Sequence, residues 1–86
     1  MMMPNQRYRF VPPGGDHTSP ILIVGLQDYS PGQQHKVDVW RFEVPAAYQD
    51  ALPDGTECDS YAAACGLVAR VYFDGDVAKT LGAIRP

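Results

Sequence analysis

The stretch TECDSYAAACGLVARVYFDGDVAKTL, residues 56–81, decides the fold, because it can be divided between helix and strand in more than one way. Its first part reads as a helix. Thr56 is a candidate N-cap with Asp59 as capping-box partner, and Glu57 and Asp59 sit where a helix dipole favours acids. Cys58, Tyr61, Ala62 and Cys65 fall at i, i+3, i+4 and i+7, an apolar stripe along one helical face. Gly66 follows as the left-handed residue past the end, so the spacing predicts a helix over 57–65. An Ala-rich segment beside a glycine can also extend as a strand, and composition leaves that choice open.

From residue 67 the character changes. LVARVYF, 67–73, is β-branched and aromatic, which predicts a strand. Asp74-Gly75 is a hairpin signal, with 76–84 as the returning strand. A two-residue loop would set Arg70 opposite Lys79, a like-charge pair, so a three-residue loop with a bulge is favoured.

Working outward, ILIVGLQ, 21–27, is a near-continuous apolar run and predicts a central strand. RYRFV, 7–11, alternates Arg7 and Arg9 with Tyr8 and Phe10, a period-2 strand. HKVDVWRFEV, 35–44, is the longest strand candidate, with Val37, Val39 and Arg41 on one side and Asp38, Trp40 and Phe42 on the other. Residues 12–20 are bounded by prolines and read as an irregular connection, and 28–34 as a turn. Pro45 opens a short helix candidate over 45–52, which Pro53 stops, with PDGT at 53–56 as a turn. The sum is an α+β fold: a small antiparallel sheet of about four to five strands with one or two short helices packed on one face. The 86 residues make a single small domain, with residues 1–6 expected to fray.

Composition sets the function classes. The chain is 45% hydrophobic and 20% charged, as in ordinary globular domains. A net charge of −3 gives no electrostatic footprint for nucleic acid, so direct nucleic-acid binding is not expected. The first ten residues lack the apolar core of a signal peptide, and the longest apolar run is too short to cross a bilayer. A cytoplasmic location with reduced thiols is expected. Five arginines against two lysines fit a GC-rich bacterial or phage genome.

The cysteines are Cys58 and Cys65. On one helix they would stand about 10 Å apart along the axis. A disulfide needs the Cα atoms within about 7 Å, so two thiols buried for packing is the expectation. His17 and His35 with nearby aspartates lack the close-spaced pairs of a metal site, and no cofactor is predicted. Asp74 and Asp76, as a pair of acids, flank a turn that explains them. No phosphate-binding loop precedes Lys79-Thr80. The chain is read as not an enzyme. Arg7 and Arg9 interleaved with Tyr8 and Phe10 could stack on single-stranded nucleic acid, but charged residues on an edge strand account for them equally.

Binding to another protein remains. Nine aromatic residues exceed what one small core needs, and Tyr29 and Tyr48 are the expected exposed anchors. All the net negative charge lies in residues 44–86, with Asp50, Asp54, Glu57 and Asp59 close together. The expectation is a small stand-alone interaction protein, a bacterial or phage inhibitor or modulator. It would occlude a larger, nucleic-acid-handling partner through this acidic, tyrosine-containing face, as host-takeover proteins do. The alternatives are a homodimeric accessory subunit paired through a sheet edge such as 7–11, and a small metal- or thiol-dependent enzyme.

Overall fold

In the computed structural model, which describes residues 2–28, 37 and 39–86, five strands form an antiparallel sheet in the order β4-β3-β2-β1-β5. They are β1 (Met2–Phe10), β2 (Ile21–Asp28), β3 (Val39–Glu43), β4 (Glu57–Cys58) and β5 (Ile84–Arg85). Helices α1 (Tyr61–Tyr72) and α2 (Val77–Ala83) pack on one face. The apolar run of 21–27 is the central strand, as expected. β1 starts at Met2, inside the segment expected to fray. The expected turn at 28–34 falls almost wholly outside the described residues, as does the start of the 35–44 strand.

The inner face follows from strand alternation. Tyr8 and Phe10 of β1, Ile21 and Ile23 of β2 and Phe42 of β3 share one side. With Trp40, Val44, Leu52, Ala64, Cys65, Val68 and Ile84 they form the core. Gly25 lies opposite Trp40, and a Cβ there would come within 2.9 Å of Trp40 Cζ3. The indole therefore lies against bare backbone. Tyr8, Trp40 and Tyr61 form a triangle of rings, with centroids 4.8 Å apart for Tyr8–Tyr61 and 4.9 Å for Trp40–Tyr61. Phe10 meets Tyr72 and Phe73 at 5.4 and 5.8 Å.

The second half departs from the sequence reading. Residues 57–58 are a short edge strand, and the helix begins only at Tyr61. Its N-cap is Ser60, whose Oγ accepts from Ala63 N at 3.0 Å, and not Thr56, whose hydroxyl donates to the Pro53 carbonyl. The helix then runs through Gly66 and through the predicted strand 67–73. The apolar stripe explains this: Tyr61, Ala64, Cys65, Val68 and Tyr72 continue at helical spacing over the whole length, facing Trp40 and Phe10. A mid-helix glycine costs about 1 kcal/mol, too little to stop a helix whose face is buried.

The predicted hairpin at 74–75 is a corner between helices. Asp74 and Gly75 both have positive φ, 52° and 84°. A type I′ hairpin needs that conformation at both central residues, and so does this helix end. Phe73 N and Gly75 N both donate to the Ala69 carbonyl, at 2.9 Å each. Asp76 then caps α2, accepting from Lys79 N at 3.1 Å, so the predicted returning strand 76–84 is helical to Ala83. Arg70 and Lys79 belong to different helices, and no ladder opposes them. The 45–52 helix reduces to a 3-10 turn at Ala46–Tyr48. Beyond it, Leu52 is buried and Gly55 N donates to the Phe42 carbonyl at 2.9 Å, returning the chain to β4.

Candidate functional site on the open face of the sheet

The same alternation builds the face turned away from the helices. Leu22, Val24 and Leu26 of β2 run down its centre. Arg7 and Arg9 of β1 lie on one side, Arg41 and Glu43 of β3 on the other. Val24 is only 1% exposed although no described helix lies over it. Its cross-strand neighbours are Arg7 and Arg41, whose aliphatic stems are long enough to roof it while their charged ends stay in water. Four of the five arginines, Arg7, Arg9, Arg41 and Arg85, stand on this face.

Their pairing is uneven. Arg41 donates from Nε and Nη2 to Glu57 Oε2 at 2.9 and 2.7 Å, a cross-strand ion pair between β3 and β4. Both side chains are nearly half exposed, so the pair contributes little to stability. Arg7 and Arg9 have no carboxylate partner among the described residues. Arg9 instead faces Arg85 across the β1–β5 ladder, a like-charge pair that costs stability.

Two hollows lie at the end of this face, on either side of Pro20. One, of about 480 Å³, is lined by Arg9, Val11, His17, Pro20, Ala83 and Arg85. The other, of about 470 Å³, is lined by Pro20, Leu22, Glu43, Val44, Pro45 and Asp54. The first is cationic and the second acidic. The 12–20 loop that supplies His17 is tied down: Asp16 N donates to the Tyr48 hydroxyl at 3.1 Å, and a Cβ on Gly15 would collide with that hydroxyl. Asp16 Oδ1 accepts from Thr18 N and the Thr18 hydroxyl, both at 2.8 Å, and these bonds hold its carboxyl below the usual range.

The residues singled out in the sequence are dispersed. Tyr48 is half-buried, packed against the core with its hydroxyl bonded to the loop. Asp54 accepts from Val44 N at 2.8 Å and borders the acidic hollow, and Glu57 is paired with Arg41. Asp50 and Asp59 are exposed on connecting segments. Tyr29 lies outside the described residues. Eight of the nine aromatic residues belong to the core cluster, so the aromatic surplus is spent on packing. Glu43 and Arg85 were missed. An alternation of Glu43 with Phe42 could have placed Glu43 on the outer face, whereas nothing in the sequence signals that Arg85 returns to Arg9.

The two cysteines sit on different elements, not on one helix. Cys58 is on β4 opposite Trp40 and Cys65 is buried on α1; both are free and both touch the core. Burial pushes both thiols up, with the Asp59 carboxylate adding to the effect at Cys58 and a hydrogen bond from Tyr61 opposing it at Cys65. Among the described residues, no three His, Cys, Asp or Glu side chains are placed to hold a metal ion. No helix in the described residues is long and apolar enough to cross a membrane. No protein-family model, curated protein or solved structure matches the chain.

Proposed function

We propose that this chain is a non-catalytic interaction module that presents the open face of its sheet to a larger protein. The observation that carries the reading is the one-sided architecture. Both helices cover the inner face, while the outer face carries Arg7 and Arg9, without a carboxylate partner among the described residues, at one side and an acidic hollow at the other. Such a pattern fixes the orientation of a partner and rejects like-charged surfaces. Asp54, together with Glu43, supplies the acidic contact for a basic patch, as on a nucleic-acid-handling protein. Asp59, exposed just past β4, adds a further acid on that side, whereas Glu57 is paired with Arg41 and Asp50 lies on a separate connecting segment. Inhibition or modulation would follow from occlusion, since both thiols, Cys65 buried and Cys58 half-buried, are held toward the protonated form by desolvation.

The test places a photo-crosslinking amino acid at Leu22, on the open face, or at Leu81, which is 53% exposed on α2. A discrete heterologous adduct from Leu22, lost with Glu43→Lys and not formed from Leu81, supports the reading. Adducts from Leu81 alone, or none from Leu22, reject it.

A second reading, a homodimer, is favoured by the β1 edge. Only Arg9 and Phe10 of β1 pair with β5, so Met2–Tyr8 have no outer strand among the described residues. Pro4 and the register shift between Pro4 and Gln6 blunt the upper part of that edge. Sedimentation of a two-chain species that persists on dilution supports it, and a single-chain mass at every concentration rejects it.

A further inference from the structure

We propose that the hollow between the ends of β1 and β5 and the 12–20 loop is a binding site for a phosphate monoester of a small molecule. Three donors line it: Arg9 on β1, Arg85 on β5 and His17 on the loop. The ladder fixes Arg9 and Arg85 as direct cross-strand neighbours on the same face. Two guanidinium groups so placed repel each other, and among the described residues no carboxylate neutralises Arg9. A bound dianion turns that cost into attraction.

The fork of Arg85 is partly fixed before any ligand arrives. Its Nη1 donates to the Gly82 carbonyl at 2.6 Å, which leaves Nε and Nη2 for two oxygens of one anion. The loop backbone beside His17 is held by the bond from Asp16 N to the Tyr48 hydroxyl. The nearby Asp16 carboxylate is not part of the lining, and its Oδ1 is occupied by Thr18. Arginine pairs and an imidazole N–H suit the three terminal oxygens of a phosphoryl group better than the two of a carboxylate. A volume of about 480 Å³ exceeds the ion alone, and Val11, Pro20 and Ala83 give the remainder an apolar lining for an organic substituent.

The inference does not depend on the protein-partner reading, because the isolated chain suffices to test it. Inorganic phosphate and glycerol phosphate are titrated into isotope-labelled protein at constant ionic strength, with sodium chloride as reference. Saturable shifts confined to Arg9, His17, Arg85 and their neighbours are expected, together with a Tm raised above that in chloride. Tighter binding of glycerol phosphate assigns the site to monoesters. Equal affinities would reassign it to the free ion and overturn the monoester claim. Arg9→Gln and Arg85→Gln should each weaken binding at least about tenfold, the loss of one charge-assisted fork. Arg7→Gln, on the same face but outside the hollow, should leave affinity within about twofold. Shifts that never saturate, or an equal loss with Arg7→Gln, would show diffuse charge and no site.

Discussion

Trp40 lies across the bare backbone of Gly25, its cross-strand partner, with the ring close enough that a single methyl group would meet Cζ3 at 2.9 Å and Cη2 at 3.0 Å. The contact sits beside the Tyr8–Trp40–Tyr61 triangle that joins β1 and β3 to α1. Gly25→Ala should therefore displace the indole and cost about 1–3 kcal/mol of stability. Chemical denaturation reads the loss, and a blunted near-UV signal from Trp40 should accompany it. An unchanged midpoint would show that the ring is not seated there.

Gly66 offers the opposite case. It lies inside α1, and a Cβ would find only Arg70 Nη1 at 4.0 Å. Gly66→Ala should stabilise the domain by about 0.5–1 kcal/mol, by favouring the helix and restricting the unfolded chain. If residues 57–65 alone were helical, with Gly66 as a left-handed stop, the same substitution would destabilise.

The Tyr72 hydroxyl is buried without a hydrogen-bond partner among the described residues. Removing it costs no bond and relieves a desolvated polar atom, so Tyr72→Phe should raise stability by about 1 kcal/mol. A drop in Tm would reveal a partner for that oxygen.

Alkaline pH should weaken the fold. Burial raises Cys58, Cys65, Tyr61 and Tyr72, with the Asp59 carboxylate adding at Cys58 and a hydrogen bond to Cys65 adding at Tyr61. Each is an acid that the unfolded chain ionises first. The stability they contribute is complete below the ordinary thiol value of 9.0 and is lost as pH rises through the folded values. Tm should decline from about pH 9 upward. Cys65→Ala should lower Tm at neutral pH through the cavity it leaves, yet flatten the alkaline decline. An equally steep decline in that variant would exclude Cys65 from it.

Much of the sheet was legible in residues 1–44. The apolar run of β2 needs burial on both faces, and the alternation of Arg7, Tyr8, Arg9 and Phe10 needs one wet and one dry side. Both requirements are local, and both are met. The candidate site was less legible. Asp54 does border a hollow, but Glu57 is spent on Arg41 and Tyr48 on the 12–20 loop. Ion pairs of this kind depend on which strand lies beside which. Residues 41 and 57 become neighbours only through the turn at 53–56.

The sequence by itself determined the class of fold, the central strand and the need for a helix near 61–65, because hydrophobic spacing and capping act over a few residues. Tertiary structure alone decided that 67–72 and 77–83 are helical. Val68 and Tyr72 carry side chains that suit a strand, and Asp74-Gly75 takes the same backbone conformation in a hairpin as at a helix corner. What separates the two is the surface to be covered. The inner face of β1, β2 and β3 offers Phe10, Ile23 and Phe42, and the helical stripe running on to Tyr72 supplies that cover. Helix α2 then brings the chain back so that β5 closes on β1 and sets Arg85 opposite Arg9, a juxtaposition set by chain path and not by local sequence.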